Sequence, residues 1–371
     1  MLDLINSIYA YVLVCTLFLL YRIPAKYFIV ISAHLFLVFL TNDVLFPAGF
    51  MPDQFRYIYA ASNIRESGFD LSIYQNFDMN YAVNVSNSAL FFALFPIPFL
   101  DSIYSISIIN FILYSLIFIY LYNNKILTGF SIWFYLLYPS LALYSAIGGR
   151  DIIVLLIMIM SFYQVYKGNS ITSVIVATPL LFIKYQNFIL YVIALLLYLL
   201  IKLYSKKTLL KFTLLLSLAI SLSIFSLSLI SLDEINFIRL SMFLEDGGIE
   251  AEYNVLNSWA DIIRYGLTGV VFTFLYPLPW DINGPLQLYQ WFENIMIIAI
   301  ITVIIKKLIK LHNKFKYLLF SYLIIYSSVY GLIVSNYGTL ARYKFSFILV
   351  FIIFSIKLIH DEKIKKQLNQ N

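Results

Sequence analysis

Residues 103–122 run for twenty positions without one charged side chain. About 20 apolar residues in a row are what an α-helix needs to cross the hydrocarbon of a bilayer, where every backbone N–H and C=O must be satisfied inside the helix. Comparable stretches recur at 4–22, 26–47, 127–146, 151–166, 170–183, 187–204, 208–232, 288–305, 317–334 and 343–359. Composition says the same: 62% of residues are hydrophobic, 12% are charged and the mean hydropathy is +0.87. Soluble domains are about 45–50% apolar and about 25% charged, and this much apolar surface has no place to hide from water. The sequence therefore predicts an all-α, polytopic integral membrane protein, a single polytopic domain over 1–371 with eleven full transmembrane helices. Residues 4–22 lack a basic leader and a small-residue cleavage site, so they read as a first span and not as a cleaved signal.

Two further apolar segments, 86–100 and 266–279, are too short for confident spans. The first contains Pro96 and Pro98, and the second ends in Pro277, Pro279 and Trp280. Proline removes a backbone donor and breaks helices, so both segments read as short or re-entrant helices covered by their neighbours. No internal repeat of the transporter kind is visible. The lone cysteine, Cys15, excludes an intramolecular disulfide, and the scattered His34, His312 and His360 do not have the spacing of a metal site.

Charge gives the chain an orientation. With eleven crossings, 17 of the 25 basic residues fall on one side, in clusters such as Lys202, Lys206, Lys207 and Lys211, or Lys306, Lys307, Lys310, Lys314 and Lys316. The positive-inside rule makes that side cytoplasmic. A first long loop at about 48–85, with a juxtamembrane helix, and a second at about 233–265 then face outward. The remaining eight basic residues, also outward, are Arg56, Arg65, Arg150, Lys184, Arg239, Arg264, Arg342 and Lys344. Six of the seven arginines are thus on the side where topology does not ask for them. Arginine offers a planar fork that grips phosphate or carboxylate with two bonds, so this asymmetry suggests an anion site. The plain alternative is that these arginines balance the many outward acids.

Polar motifs punctuate the outward side. The first runs Asp53-Gln54-Phe55-Arg56-Tyr57-Ile58-Tyr59, on through Arg65 to Gly68. Phe55, Ile58, Tyr59, Ala61 and Ile64 have helical spacing, which predicts a short amphipathic helix in the interface, opened by Asp53. The carboxylate suits the positive helix end, and an N-cap role alone would explain it. The second motif is Tyr138-Pro139-Ser140, then Gly148-Gly149-Arg150-Asp151, with the last two either a local ion pair or functional. The third is Lys184-Tyr185-Gln186-Asn187, where the lysine either snorkels to headgroups or holds an anion. The fourth is Tyr276-Pro277-Leu278-Pro279-Trp280-Asp281 followed by Gln287 and Glu293, and the fifth is Tyr337-Gly338 with Ala341-Arg342-Tyr343-Lys344.

Taken in order, these motifs resemble the GT-C superfamily of membrane glycosyltransferases and, within or near it, O-antigen polymerases of the Wzy type. Asp53, Arg56 and Tyr57 match that superfamily's first external loop, with an added N-terminal helix before it. The resemblance implies that Asp53 is the catalytic base and that Arg56, Tyr57, Arg150, Asp151, Lys184, Arg239, Arg264, Trp280 and Arg342 bind substrate. It implies a polyprenyl-pyrophosphate-linked oligosaccharide as donor, no cofactor and no metal. The setting would be the outer face of the bacterial cytoplasmic (inner) membrane, as a multi-pass protein in O-antigen, lipopolysaccharide or capsule-type polysaccharide biosynthesis. Membrane lipid, a chain-length regulator and a flippase are the expected partners, and nucleic acid is not. A different class also fits the span count: a flippase or transporter of lipid-linked oligosaccharide. Transporters more often show internal symmetry and charges at helix centres.

Overall fold

The structure is a computed structural model, described here for residues 1–42, 44–46, 51–69, 83–203, 231–245, 249–250, 253–334 and 336–368. Residues 208–230 of the expected span at 208–232, the cytoplasmic-side residues Lys206, Lys207 and Lys211, and parts of both long loops lie outside the described residues. Among the described residues there is no β-strand, only an isolated bridge between Asn42 and Phe46. Five helices are long and apolar enough to cross a membrane: Leu2–Leu20, Ile103–Asn123, Tyr185–Lys202, Phe315–Ile333 and Tyr337–Leu368. The chain is an all-helical membrane protein. It forms two compact units, Met1–Phe188 and Ile189–Asn371.

The first unit contains α1 (Leu2–Leu20), α2 (Ala25–Thr41), α3 (Asp53–Glu66), α4 (Val83–Leu94), α5 (Ile103–Asn123), α6 (Phe130–Leu137), α7 (Pro139–Ala146), α8 (Asp151–Tyr166), α9 (Ser170–Ala177) and α10 (Leu180–Ile183). Helix α5 is its core: 78% of its span is buried, against 28% for α1, and α1, α2, α3, α7 and α8 all pack on it. A helix apolar on every side belongs in the interior, whereas α1 leaves much of its surface to lipid.

The stretch expected as one span over 127–146 is two eight-residue helices, α6 and α7, broken at Tyr138-Pro139. Pro139 has no N–H to continue α6, but its fixed φ suits the first position of α7. The expected 170–183 span divides into α9 and α10 at Thr178-Pro179, where both residues keep helical dihedrals, a milder interruption than the one at Pro139. An eight-residue helix rises only about 12 Å, short of the roughly 30 Å core.

The juxtamembrane helix α3 forms, and two of the apolar positions that predicted it, Ala61 and Ile64, are buried. Gln54, Tyr57, Ala60, Ala61 and Ile64 face inward, while Phe55 and Tyr59 are exposed. Both faces carry apolar residues, so hydrophobicity does not tell the protein-facing side from the lipid-facing side. The inward face packs on α4 and α5.

The second unit contains the body of α11 (Tyr185–Leu203), then α12 (Leu232–Glu245), α13 (Trp259–Leu275), α14 (Pro285–Ile309), α15 (Phe315–Ile333) and α16 (Tyr337–Leu368). Helix α13 starts seven residues before the short apolar segment expected at 266–279. Ser258 accepts a bond from the Asp261 amide, and the Asp261 carboxylate accepts one in return from the Ser258 amide. That reciprocal capping box starts the helix inside what the sequence assigns to a loop. The helix ends at Tyr276, where the bond to Pro277 is cis. Helices α13 and α15 cross in backbone contact at Gly269 and Gly331: a Cβ on Gly269 would lie 2.8 Å from the Gly331 carbonyl carbon, and one on Gly331 would overlap Gly269. Small residues permit such an approach between helices in lipid.

Candidate functional site

In the first unit the folding of α3, α5, α8 and α10 brings three of the five sequence motifs together. The link between the first two is Gln54, the residue after Asp53. Its side chain is buried on the inner face of α3, and its Oε1 accepts a 2.8 Å bond from the Gly148 amide. A Cβ at Gly148 would meet that oxygen at 3.1 Å and the Ile103 carbonyl at 3.4 Å, so glycine keeps the contact open. The turn from Ala146 to Asp151 is then fixed by two more buried amides. Asn110 donates to the carbonyls of Ile147 and Gly149, both at 2.7 Å, and Asn42 donates to the Ala146 carbonyl at 3.0 Å. Backbone groups in a turn within apolar surroundings need such partners.

The turn delivers Arg150 and Asp151 to the start of α8, with Asp151 in the first turn, where the helix dipole favours a carboxylate. Asp151 and Lys184 form an ion pair at 3.3 Å, each side chain only 7% exposed. Arg150 donates to the Ile183 carbonyl at 2.9 Å, closing the end of α10. The second and third motifs are therefore one cluster, in which Arg150 and Lys184 place two cations on adjacent turns.

Asp53 is the first residue of α3; the N-cap position is occupied by Pro52. Asp53 pairs with Arg56 at 3.6 Å, and both side chains remain open, at 35% and 49% exposure. Tyr57 is fully buried, edge-on to Phe92. Arg65 is a structural clamp: its guanidinium donates to the carbonyls of Ala93, Phe95 and Ile97, the groups left over where Pro96 and Pro98 end α4.

The remaining candidates lie in the second unit. Arg239 donates to the carbonyls of Leu332 (3.0 Å) and Asn254 (3.2 Å) and to the Tyr253 hydroxyl, over whose ring it also sits. Burial pushes the Tyr253 hydroxyl above its usual range despite that neighbouring cation, keeping the phenol neutral. Arg264 is exposed on α13, Trp280 is exposed after the break at Tyr276, and Arg342 is half-buried on α16. The fourth and fifth motifs meet through residues that the sequence reading did not nominate. Lys344 is buried, donates to Asn294 Oδ1 (2.5 Å) and to the Thr273 carbonyl, and interacts electrostatically with the buried Glu293. Asn294 in turn donates to the Tyr276 carbonyl, and Gln290 to that of Tyr337.

Gln54, Asn42, Asn110 and Asn294 are buried amides around the candidate residues that the sequence did not single out. Their signal was present: amide side chains set inside apolar or amphipathic helices, where polarity is expensive without a partner. No family model matches the chain, and no curated protein or solved structure does either.

Proposed function

We propose that this protein is a membrane glycosyltransferase that polymerises or transfers polyprenyl-pyrophosphate-linked glycan units at the outer face of the cytoplasmic membrane, as an O-antigen or capsule-type polymerase does. The eleven-crossing, GT-C-like topology belongs to the same proposal. The observation that supports it best is the convergence of the Asp53 helix, the Arg150–Asp151 turn and Lys184 through Gln54 and its buried amide neighbours. An acceptor hydroxyl oxygen attacks the anomeric carbon of the donor. The bond from that carbon to the pyrophosphate oxygen breaks, and its electron pair leaves with the pyrophosphate. Asp53 accepts the hydroxyl proton, and Arg150 and Lys184 offset the charge gathering on the leaving group.

Arg150 supplies the test. Arg150→Lys keeps the charge but loses the fork, so it lowers transfer in part. Arg150→Ala, at normal membrane level, reduces surface polymer to a trace in a strain lacking the native copy. Full-length polymer from the alanine variant removes Arg150 from the site.

A lipid-linked oligosaccharide flippase is the second reading. What favours it is buried charge: Lys344 beside Glu293 within helices, and Asp151 with Lys184 at helix ends. Transfer of a radiolabelled glycan by the purified protein in detergent, where no membrane separates two compartments, decides between the two.

A further inference from the structure

The second unit holds a cavity of about 550 Å³ that the transfer chemistry leaves unused. That volume lies in the range of ligand sites. Arg239, Tyr253 and Asn254 form its polar end, and Val271, Phe272 and Leu332 belong to its apolar walls. Among the described residues that line it, Arg239 is the one charged side chain. The cavity reaches the surface of α13. Its lining residue Val271 is exposed there, in a stripe of exposed Ile263, Leu267, Val271 and Leu275 at i, i+4 spacing. An apolar helical stripe in a membrane protein meets acyl chains. The cavity is thus a mostly apolar slot that opens beside an apolar helical stripe and contains a single guanidinium.

Arg239 is part-buried and held in place by the Leu332 and Asn254 carbonyls through Nε and Nη1. A positioned guanidinium binds phosphate more strongly than a mobile one, because less rotamer freedom is lost. One cation suits a singly charged phosphodiester. A pyrophosphate, with its higher charge, calls for more than one. We propose that this cavity binds an anionic membrane phospholipid, its phosphodiester on Arg239 and part of an acyl chain along Val271, Phe272 and Leu332. This site is separate from the transfer site and stands whether or not the glycosyltransferase reading holds.

The probe is phosphatidylglycerol, added to the full-length, delipidated protein in neutral detergent and followed by native mass spectrometry and thermal melting. Phosphatidylglycerol should bind and raise Tm. Diacylglycerol, which has the same chains without phosphate, and inorganic phosphate, which has no chain, should each bind at least about 10-fold more weakly, since a hydrogen bond to a charged group and the apolar burial each contribute that much. Arg239→Gln should weaken phosphatidylglycerol binding about 10-fold or more. Because Arg239 also holds backbone carbonyls, Thr268→Trp gives a second test: it fills the cavity from an exposed position, and should weaken binding by a similar factor while the lipid-free Tm stays put. Unchanged phosphatidylglycerol binding in Thr268→Trp overturns the proposal. So does diacylglycerol binding as well as phosphatidylglycerol. Polyprenyl phosphate binding 10-fold tighter than phosphatidylglycerol would also overturn it, because the cavity would then belong to the donor's chain.

Discussion

The turn at Ala146–Asp151 in the first unit and the α13–α15 crossing in the second solve opposite problems. The turn is irregular backbone among apolar helices, and Asn42, Gln54 and Asn110 fix it by supplying side-chain hydrogen bonds. The crossing is regular helix on regular helix, and Gly269 and Gly331 fix it by supplying no side chains at all. The first device holds loop groups, Arg150 among them, at defined positions. The second holds two helices together in backbone contact. Fixing a turn with buried amides is costly unless their bonds are made, so it ties the turn to its neighbours more exactingly than a bare helix crossing does.

The same contrast runs through the cations. Arg65 commits its guanidinium to the carbonyls that end α4, and Arg239 commits part of its own to the end of α15. Arg150 makes one bond to the end of α10, and Arg56 is half exposed beside Asp53. A surplus of arginine on one side of a membrane protein therefore goes partly to helix ends, and a guanidinium that caps one end with part of its fork keeps other donors.

Three substitutions sharpen the comparison. The largest effect is expected for Lys184→Ala, which leaves the buried Asp151 without its cation and costs about 3–5 kcal/mol. The double variant Lys184→Met with Asp151→Leu recovers most of that stability but not the transfer activity. Recovery of both would make the pair purely structural. Gly331→Ala comes next: its methyl group would overlap the Gly269 backbone, so the helices must separate, at about 3 kcal/mol, with loss of folded protein on size exclusion in detergent. A wild-type melting curve would show that the crossing yields easily. Asn110→Ala is the mildest, at about 1–3 kcal/mol from two carbonyls left in apolar surroundings. Here activity should fall further than the melting temperature indicates, because the turn carrying Arg150 loosens. Loss of stability with full specific activity would separate the turn from the site.

Much of the helical layout was legible in the sequence. The long apolar runs at 103–122 and 151–166 return as α5 and α8 within a residue. The breaks at Pro139 and Pro179 were visible as prolines but were overrun by a continuous hydropathy signal, which measures length in lipid and not the path of the backbone. The protein-facing side of α3 was not legible, because the exposed Phe55 and Tyr59 are as apolar as the buried set. In water, polarity separates inside from outside; in a membrane protein it does not. For the same reason nothing in the sequence marked Gln54 as buried until the fold placed Gly148 against it. The start of α13 at Trp259 was hidden because its first turns are polar, and the capping box Ser258-Trp259-Ala260-Asp261 was the signal for it.

The central claim is that Asp53, at the head of α3 and tethered through Gln54 to the Arg150 turn, is the base that activates the acceptor. Asp53→Asn tests it most directly. As the first helical residue, Asp53 contributes only about 0.3–1 kcal/mol through the helix dipole, and its open ion pair with Arg56 adds about 0–1 kcal/mol, so the variant should fold and reach the membrane normally. The measurement is surface polysaccharide chain length in a strain whose native copy is deleted, at matched protein level. The account predicts a loss of about 10²–10⁴-fold in transfer rate and a collapse of the long-chain ladder. A normal ladder from Asp53→Asn would contradict it and return Asp53 to the helix end as a charge and nothing more.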